Sequence, residues 1–362
     1  MMKHDYHSLR IAEVRRDTRD CVSFGLAVPP ALAETFRFEP GQHLAVRCDI
    51  AGEEVRRTYS ISSGPSDPLL WITVKRVADG VFSSWAHDTL RAGHALECMA
   101  PAGRLVLPTP IDGTGARCVI AVVAGSGITP VMSIIEHVLA REPGSRVALI
   151  YGNRTVDDII FRERLEGLKN RHLERLQIFH VLSRDSEADV PVLSGRIDGA
   201  KIATLVGNLR PTATDDVLLC GPDSLIKNSR DALIALGITR ARIRFEYFRA
   251  GPESPAGRRR SPTAEPAAVG GTQVIAVVDG VRRSFTVGAN QHVIDAALAA
   301  GIKLPYSCKG GMCCTCRAKL VEGEVVMDRN FSLEGWEMQA GFVLTCQARP
   351  TTRRVVLDYD SV

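Results

Sequence analysis

Four cysteines near the end of the sequence constrain its fold more than any other feature. Cys308, Cys313 and Cys316 follow the spacing C-x4-C-x2-C, and Cys346 comes after 29 intervening residues. This is the plant-type spacing for a [2Fe–2S] cluster held by four thiolates. Because such a cluster carries one electron at a time, the sequence predicts a redox protein with a loop wrapped around two irons.

The residues between these cysteines suit a tight loop. Gly310 and Gly311 can adopt left-handed conformations and let backbone N–H groups approach the cluster sulfurs. The alternatives are a zinc site or buried free cysteines. Zinc knots usually pair two C-x2-C halves, and this sequence has one. Cys314 lies inside the loop but outside the spacing, and it is interpreted as a bystander.

The composition indicates a protein of several domains. A chain of 362 residues is too long for one compact core, and a formal net charge of +4 is too small to indicate a nucleic-acid partner. The first residues lack the apolar core of a signal peptide, and no stretch is long enough to span a membrane. A cytoplasmic location is expected, because the other cysteines are too scattered for a disulfide scaffold.

The clearest domain boundary is residues 249–271. This stretch holds four prolines and four glycines and almost no large apolar residue, so it is predicted to be a flexible linker. After it, residues 274–278 and 281–287 are predicted strands joined at Asp279-Gly280, and residues 292–300 a short helix. A small sheet with one helix and a cysteine loop predicts a ferredoxin-like β-grasp domain of the α+β class.

The chain before the linker divides into two patterns. Residues 114–248 alternate buried apolar runs with amphipathic stretches, which predicts an α/β domain with a parallel sheet. Residues 5–113 give short strands separated by Pro and Gly, which predicts a small antiparallel β-barrel. The apolar runs of the α/β pattern are residues 119–124, 147–151, 176–182, 217–220 and 243–247.

A glycine-rich turn follows the first strand of the predicted parallel sheet. Gly125 and Gly127 allow a sharp turn, Thr129 is the predicted N-cap of the next helix, and Pro130 is its first residue. A helix N-terminus after such a strand is a natural phosphate site. A plain tight turn is the alternative, since no third glycine follows.

Two further motifs suit nucleotide binding. Cys220 with Gly221 and Pro222 ends a later strand of the same sheet, where ligands bind; the alternative is a turn with a buried thiol. In the first domain, Arg57, Tyr59 and Ser60 offer a cation, an aromatic face and a hydroxyl. An ordinary edge strand is the alternative there.

These three motifs, in this order, resemble ferredoxin–NADP reductase-type flavoproteins, with the cluster domain appended at the C-terminus. The chain is similar to reductase components of bacterial multicomponent oxygenases. The resemblance implies an FAD-binding β-barrel at residues 5–113 and an NAD(P)-binding α/β domain at 114–248. The linker at 249–271 and the [2Fe–2S] domain at 272–362 complete the expected organisation.

The resemblance also implies how FAD is held. Arg57 would bind its pyrophosphate, Tyr59 would stack on the isoalloxazine, and Ser60 would lie near the reactive N5. Residues 75–84 match a second phosphate-contact region, whose predicted binding residues are Lys75, Gly80, Val81, Phe82 and Ser83.

For the nicotinamide nucleotide, the resemblance assigns the pyrophosphate to the turn from Gly125 to Pro130. Cys220 would lie near the nicotinamide, with Gly221 and Pro222 beside it, so Ser60 and Cys220 are the predicted catalytic residues. Phe248 and Glu246 match the segment that ends the reductase half near the flavin. From residue type alone, the alternative for Glu246 is a surface strand residue, and it is not assigned a catalytic role.

Two arginines predict the form of the nucleotide. Arg154 and Arg184 each follow a strand of the parallel sheet, where the adenosine end of the ligand should reach. Arginine binds phosphate through two parallel hydrogen bonds, so both suit the extra 2′-phosphate of NADPH. NADPH is therefore expected to be preferred, with NADH possible.

The expected function is transfer of electrons from NADPH through FAD and the cluster to an oxygenase component. The resemblance implies a di-iron oxygenase that epoxidises phenylacetyl-CoA as the acceptor. A Rieske oxygenase, such as a steroid 9α-hydroxylase system, is the first alternative. The second is a metal-binding interaction module fused to an inactive flavin-like barrel.

Overall fold

The computed structural model describes residues 5–108, 116–184, 190–212, 215–248 and 271–361. The predicted linker at 249–271 lies outside the described residues except for Gly271. Within the described ranges, no helix combines the length and the apolar character needed to cross a bilayer.

The first domain is a six-stranded antiparallel sheet in the order β4-β3-β6-β1-β2-β5. An isolated antiparallel bridge between Ile61 and Ile72 joins its two edges. The sheet therefore curls around its own apolar core, and the predicted barrel is confirmed. Its elements are β1 (Tyr6–Thr18), β2 (Cys21–Ala27), β3 (His43–Ile50), β4 (Glu53–Ser60), β5 (Leu70–Lys75), α1 (Val81–Thr89) and β6 (Ala95–Met99).

The second domain is a five-stranded parallel sheet in the order β11-β10-β7-β8-β9. Its central strand, β7 (Cys118–Ala124), is apolar throughout and buried along most of its length. This is expected of a strand that helices cover on both faces. The predicted α/β class is confirmed. Its elements are β7 (Cys118–Ala124), α2 (Ile128–Arg141), β8 (Arg146–Asn153), α3 (Arg162–Arg171), β9 (Leu176–Leu182), α4 (Gly199–Gly207), β10 (Asp216–Gly221), α5 (Asp223–Ala235) and β11 (Ile243–Tyr247).

The start of α2 differs from the prediction. The helix begins at Ile128 after a 3-10 turn over Gly125–Gly127, and Gly127 is its N-cap. Thr129 therefore lies in the first helical turn, and the predicted N-cap and first helical residue were wrong. The Thr129 hydroxyl donates to the carbonyl of Ser126 at 2.9 Å, so it stabilises the preceding turn instead of capping the helix.

The third domain has a mixed five-stranded sheet in the order β13-β12-β18-β14-β16 and a two-stranded sheet of β15 and β17. The hairpin at Asp279-Gly280 is confirmed, with φ of +52° and +74° at its two central residues. Its elements are β12 (Thr272–Val278), β13 (Val281–Val287), α6 (Val293–Ala299), β14 (Arg317–Glu322), β15 (Val325–Met327), α7 (Gly335–Gln339), β16 (Phe342–Leu344), β17 (Ala348–Pro350) and β18 (Arg354–Asp358).

The first two domains share packing. Cys21 and Leu105 of the barrel belong to the same apolar cluster as the buried residues of α2. The Ser133 hydroxyl of α2 donates to the carbonyl of Ser63 at 2.6 Å. These contacts pack the barrel against α2, the helix that follows the carboxyl end of β7, and ligands of parallel sheets bind at that end.

Candidate functional site

The end of strand β4 carries the residues predicted to hold FAD. Arg57 is exposed, Tyr59 is half-buried, and Ser60 is buried with 3% of its surface exposed. The Tyr59 ring packs on the Phe82 ring with centroids 5.3 Å apart. Phe82, on α1, is buried in the barrel core. Its ring therefore supports Tyr59, the residue predicted to stack on the flavin.

The start of α1 lies beside this strand. Gly80 is the N-cap, Val81 is the exposed first residue, and the Ser83 hydroxyl accepts a hydrogen bond from the backbone N–H of Val77 at 3.1 Å. The Phe82 and Ser83 side chains are thus committed to packing and to the preceding loop. What this region can offer a phosphate is the set of backbone N–H groups in the first helical turn.

Lys75, a predicted FAD phosphate contact of the barrel, lies beside the glycine-rich turn of the parallel-sheet domain. Its ammonium group lies 3.3 Å from Asp20 Oδ2. It also lies 3.9 Å from the position that a Cβ atom on Gly125 would occupy. The glycine-rich turn and the second predicted FAD-contact region therefore face each other across the domain boundary.

Gly127 is required for a reason that the sequence did not reveal. Its φ of −62° suits any residue. A Cβ atom at this position would lie 2.7 Å from the carbonyl carbon of Cys220 and closer still to its oxygen. The glycine therefore lets the turn after β7 pack against the end of β10, which holds the two predicted nicotinamide-binding segments in register.

The predicted nicotinamide contact Cys220 is fully buried in β10, opposite Val123 of β7 and Glu246 of β11. Burial raises the pKa of its thiol well above the usual range, so it is a neutral group at physiological pH. The backbone N–H of Phe248 donates to the carbonyl of Gly221 at 2.9 Å. This bond holds Phe248, the last described residue of the α/β domain, beside the Cys220–Pro222 segment.

The alternative for Glu246, an ordinary surface strand residue, does not hold. Only 17% of its side chain is exposed, and its Oε1 lies 3.7 Å from Nδ1 of the buried His43. Burial, with a smaller contribution from the nearby Cys308, raises the pKa of Glu246 to about 7. Burial alone lowers the pKa of His43 to about 4. The two groups were missed because they come from strands about 200 positions apart in sequence, and only the fold brings them together.

Arg154 and Arg184 lie side by side at the carboxyl ends of β8 and β9. The backbone N–H of Arg184 donates to the carbonyl of Arg154 at 2.8 Å, and both side chains are exposed. Neighbouring parallel strands end at the same edge of the sheet, which explains their proximity. The arrangement suits a phosphate placed between two guanidinium groups.

The four predicted cluster ligands lie in two pairs. The thiols of Cys308 and Cys313 interact directly, as do those of Cys316 and Cys346. Among the described residues, no three His, Cys, Asp or Glu side chains converge as a single-ion site requires. Two thiolates on each of two irons is the donor set of a [2Fe–2S] cluster, so the residues fit that group.

The loop backbone supports this fit. Gly311 has a φ of +76°, and a Cβ there would meet the carbonyl oxygen of Arg329 at 3.1 Å, so glycine is required. The N–H of Gly310 donates to Cys308 Sγ at 3.3 Å, as predicted. The expected left-handed conformation of Gly310 was wrong, because Lys309 and Cys314 adopt it instead, with φ of +48° and +54°.

Hydrogen bonding lowers the pKa of Cys308. The Cys313 thiol provides the largest effect, and the N–H groups of Met312 and Gly310 act in the same direction, bringing the pKa to about 6. A loop that stabilises a thiolate before metal binding is suited to hold iron. The Cys314 side chain instead contacts Ser332 and Arg104, away from the two pairs.

The cysteine loop packs against the predicted flavin strand. The hydroxyls of Thr58 and Ser307 share a 2.7 Å hydrogen bond, and the Arg56 guanidinium lies 4.1 Å from the centroid of the Tyr306 ring. Arg56 and Thr58 alternate along β4 with Arg57 and Tyr59, so they point to the opposite face. This strand therefore presents Arg56 and Thr58 to the cluster domain on one face, and Arg57 and Tyr59, two of its three predicted flavin residues, on the other.

Comparison with known proteins identifies these domains. Family models match residues 8–107 (Oxidoreductase FAD-binding domain), 121–231 (Oxidoreductase NAD-binding domain) and 276–351 (2Fe-2S iron-sulfur cluster binding domain). The chain is 40% identical over 359 residues to a subunit of 1,2-phenylacetyl-CoA epoxidase from Escherichia coli (strain K12), and the alignment covers 98% of each chain. The chain belongs to the family of flavin- and iron–sulfur-containing oxygenase reductases.

Other members of this reductase family resemble the chain along its whole length. It is 32% identical to the ferredoxin reductase component of 3-ketosteroid-9-alpha-monooxygenase from Rhodococcus rhodochrous, over 97% of this chain and 96% of that one. The solved structure of phthalate dioxygenase reductase superposes with a TM-score of 0.60 and 25% identity, covering 98% of both chains. The predicted fold class and the predicted resemblance are both confirmed.

Membership of the family establishes the general chemistry. The protein is an NAD(P)H-dependent flavin iron–sulfur oxidoreductase with FAD, a [2Fe–2S] cluster and a nicotinamide nucleotide as cofactors. It is the reductase component of a multicomponent oxygenase, to which it passes electrons. The alternative of an inactive interaction module is thereby set aside.

Proposed function

We propose that this protein is the NADPH-dependent reductase of an oxygenase that epoxidises phenylacetyl-CoA. The observation that carries the proposal is the 40% identity, over 98% of both chains, to a subunit of 1,2-phenylacetyl-CoA epoxidase. The hydrogen bond between Ser307 and Thr58 supports the electron route, because Ser307 precedes the proposed cluster ligand Cys308 and Thr58 precedes the proposed flavin residue Tyr59.

The residues of the barrel would hold and orient FAD. Arg57 would bind its pyrophosphate, Tyr59 would stack on its ring against Phe82, and the buried Ser60 hydroxyl would hydrogen-bond near N5. Lys75 and the N–H groups that follow Gly80 would complete the phosphate contacts. When bound by these residues, FAD would supply the chemistry that converts a two-electron hydride donor into a source of single electrons for the cluster.

The residues of the parallel sheet would position the nucleotide. The turn at Gly125 and the N-terminus of α2, including Thr129 and Pro130, would meet the pyrophosphate. The neutral thiol of Cys220 would lie against the nicotinamide, with Phe248 held nearby through Gly221. The burial of Cys220 supports a second role, which is to exclude water from the site of hydride transfer.

Specificity for NADPH is proposed to reside in Arg154 and Arg184. Both guanidinium groups are exposed at one edge of the sheet and are linked through their backbones. An added 2′-phosphate would accept charge-assisted hydrogen bonds from both, whereas NADH would leave them solvated.

A Rieske-type oxygenase is the second candidate partner, favoured by the 32% identity to a steroid monooxygenase component. The cytoplasm is the proposed location, since all ten cysteines are free and four of them are proposed cluster ligands that must stay reduced.

Reconstitution distinguishes the two partners. The purified reductase is mixed with the phenylacetyl-CoA oxygenase component or with a ketosteroid 9α-oxygenase component, and NADPH oxidation, oxygen uptake and product are measured. The proposal expects product formation coupled to NADPH oxidation only with the first. Coupled steroid hydroxylation, with no turnover of phenylacetyl-CoA, would contradict it.

A further inference from the structure

One charged contact joins the cluster domain to the barrel. Arg104, in the segment after β6, forms an ion pair with Glu337 of α7 across 233 positions of sequence. Among the described residues it is the one ion pair between the cluster domain and the rest of the chain. Other contacts at this boundary include the Thr58–Ser307 hydrogen bond and aromatic contacts of Tyr306 and Phe331.

The two partners of this pair differ in burial. The Glu337 side chain is 0% exposed, whereas Arg104 is 39% exposed. Within its own domain, Glu337 accepts a hydrogen bond from Arg317 Nε at 3.0 Å and another from the N–H of Glu334 at 2.9 Å. The carboxylate is therefore already neutralised and bonded inside the cluster domain. Arg104 adds an attraction that acts only when the two domains are docked.

Arg104 also reaches the cysteine loop itself. Its guanidinium contacts the side chain of Cys314, which lies between the proposed ligands Cys313 and Cys316. It lies 5.9 Å from the centroid of the Trp336 ring on α7. A single barrel side chain thus contacts both α7 and the loop that holds the cluster, so it fixes the orientation of the cluster domain as well as its distance.

We propose that Arg104 is a positioning residue that holds the cluster domain in the orientation that receives electrons from the flavin. The inference rests on the proposed electron route from flavin to cluster, and not on the identity of the oxygenase. Because Arg104 is partly exposed, salt weakens the pair, and the domain can leave the barrel without unpairing a buried charge. This property suits a cluster that must also meet an external partner.

The test compares Arg104→Gln, Arg104→Lys and the control Arg37→Gln in the full-length holoprotein. Arg37 also forms an ion pair on the barrel, with Glu34 at 2.8 Å, but both partners belong to the same domain. Hydrogen exchange of residues 306–312 and 335–339 reports docking without requiring turnover. Rapid-mixing spectroscopy separates hydride transfer to the flavin from the later reduction of the cluster.

For Arg104→Gln, the cluster-reduction step should slow about two- to fivefold at low salt, the effect expected of one partly exposed ion pair on a docking equilibrium. Exchange at both segments should accelerate, while hydride transfer and ferricyanide reduction stay at wild-type rates. Arg104→Lys should recover most of the loss, and Arg37→Gln should behave as wild type. Raising salt to about 0.5 M should slow the wild type and leave Arg104→Gln unchanged.

Two results would overturn the proposal. Wild-type cluster reduction and wild-type exchange in Arg104→Gln would show that the ion pair does not position the domain. Loss of FAD from that variant would instead assign Arg104 to the flavin site. If the phenylacetyl-CoA oxygenase proves to be the wrong partner, neither readout changes, so failure of the proposed partner and failure of this inference are distinguishable.

Discussion

Replacement of Gly127 by alanine tests how the nicotinamide site is assembled. The backbone conformation at Gly127, with φ of −62°, accepts alanine without strain. The added Cβ would lie 2.7 Å from the carbonyl carbon of Cys220, closer still to its oxygen, and 3.2 Å from the amide nitrogen of Gly221. Neither neighbour is a flexible side chain, so the turn after β7 and the end of β10 must move apart.

The size of the effect follows from this geometry. Relieving a backbone contact of this kind requires a shift of about 1 Å, and overpacking at such sites costs about 1–3 kcal/mol. A shift of that size between reacting groups slows a reaction about 100-fold. We therefore expect Gly127→Ala to slow hydride transfer from NADPH to FAD by about 10- to 100-fold, with lower stability of the α/β domain.

The assay is anaerobic rapid mixing with NADPH, followed at the flavin band, together with urea unfolding. The matched control is Gly167→Ala in α3, where a Cβ would meet only the end of the Arg171 side chain at an ordinary 3.7 Å. That change should leave hydride transfer intact and stabilise the helix by up to about 1 kcal/mol. Wild-type hydride transfer and stability in Gly127→Ala would refute the reasoning.

Three further predictions concern separate parts of the molecule. Arg154→Ala combined with Arg184→Ala should lower kcat/KM for NADPH about 10- to 100-fold and leave kcat/KM for NADH unchanged; equal losses with both nucleotides would contradict the assignment. His43 has its pKa lowered to about 4 by burial, so the unfolded chain gains a proton between pH 6.5 and 4 that the folded chain does not. The contribution of His43 to folding stability should therefore be lost as pH falls through this window, by up to about 3 kcal/mol, while the raised pKa of Glu246 acts in the opposite direction between pH 7 and 4.5. In urea unfolding, the stability of His43→Phe relative to wild type should rise as pH falls from 6.5 to 4, and a difference that does not change with pH would contradict the assignment to His43. Cys346→Ser should eliminate the EPR signal of the reduced cluster while FAD stays bound, and Cys314→Ser should retain the signal; the reverse pattern would exchange their roles.

The sequence predicted the parts of the fold that depend on local patterns. The apolar runs of the parallel sheet became β7 to β11 within two residues at each end, because a strand buried on both faces has a continuous apolar signature. The hairpin at Asp279-Gly280 was also predictable from local sequence, because its two turn positions need a positive φ and Asp-Gly tolerates it. Errors arose where a residue has two suitable roles, as for Thr129, whose hydroxyl bonds the preceding turn instead of capping the helix.

Contacts between distant segments were beyond prediction from one sequence. The burial of Glu246 beside His43 depends on how β11 meets the barrel, and nothing in its local sequence distinguishes it from a surface glutamate. The pairing of Arg104 with Glu337 has no local signal either, because both are ordinary charged residues until the cluster domain docks. The proposed cluster ligands have a local signal in the sequence, because a [2Fe–2S] cluster itself imposes the spacing of three of them.

The most direct test of this account is cofactor analysis of the purified protein during reduction by NADPH. The account predicts one FAD and two irons per chain, with flavin bleaching followed by the EPR signal of a reduced [2Fe–2S] cluster. A protein that contains zinc or no metal at Cys308, Cys313, Cys316 and Cys346, or one whose flavin is reduced without any such signal, would contradict it.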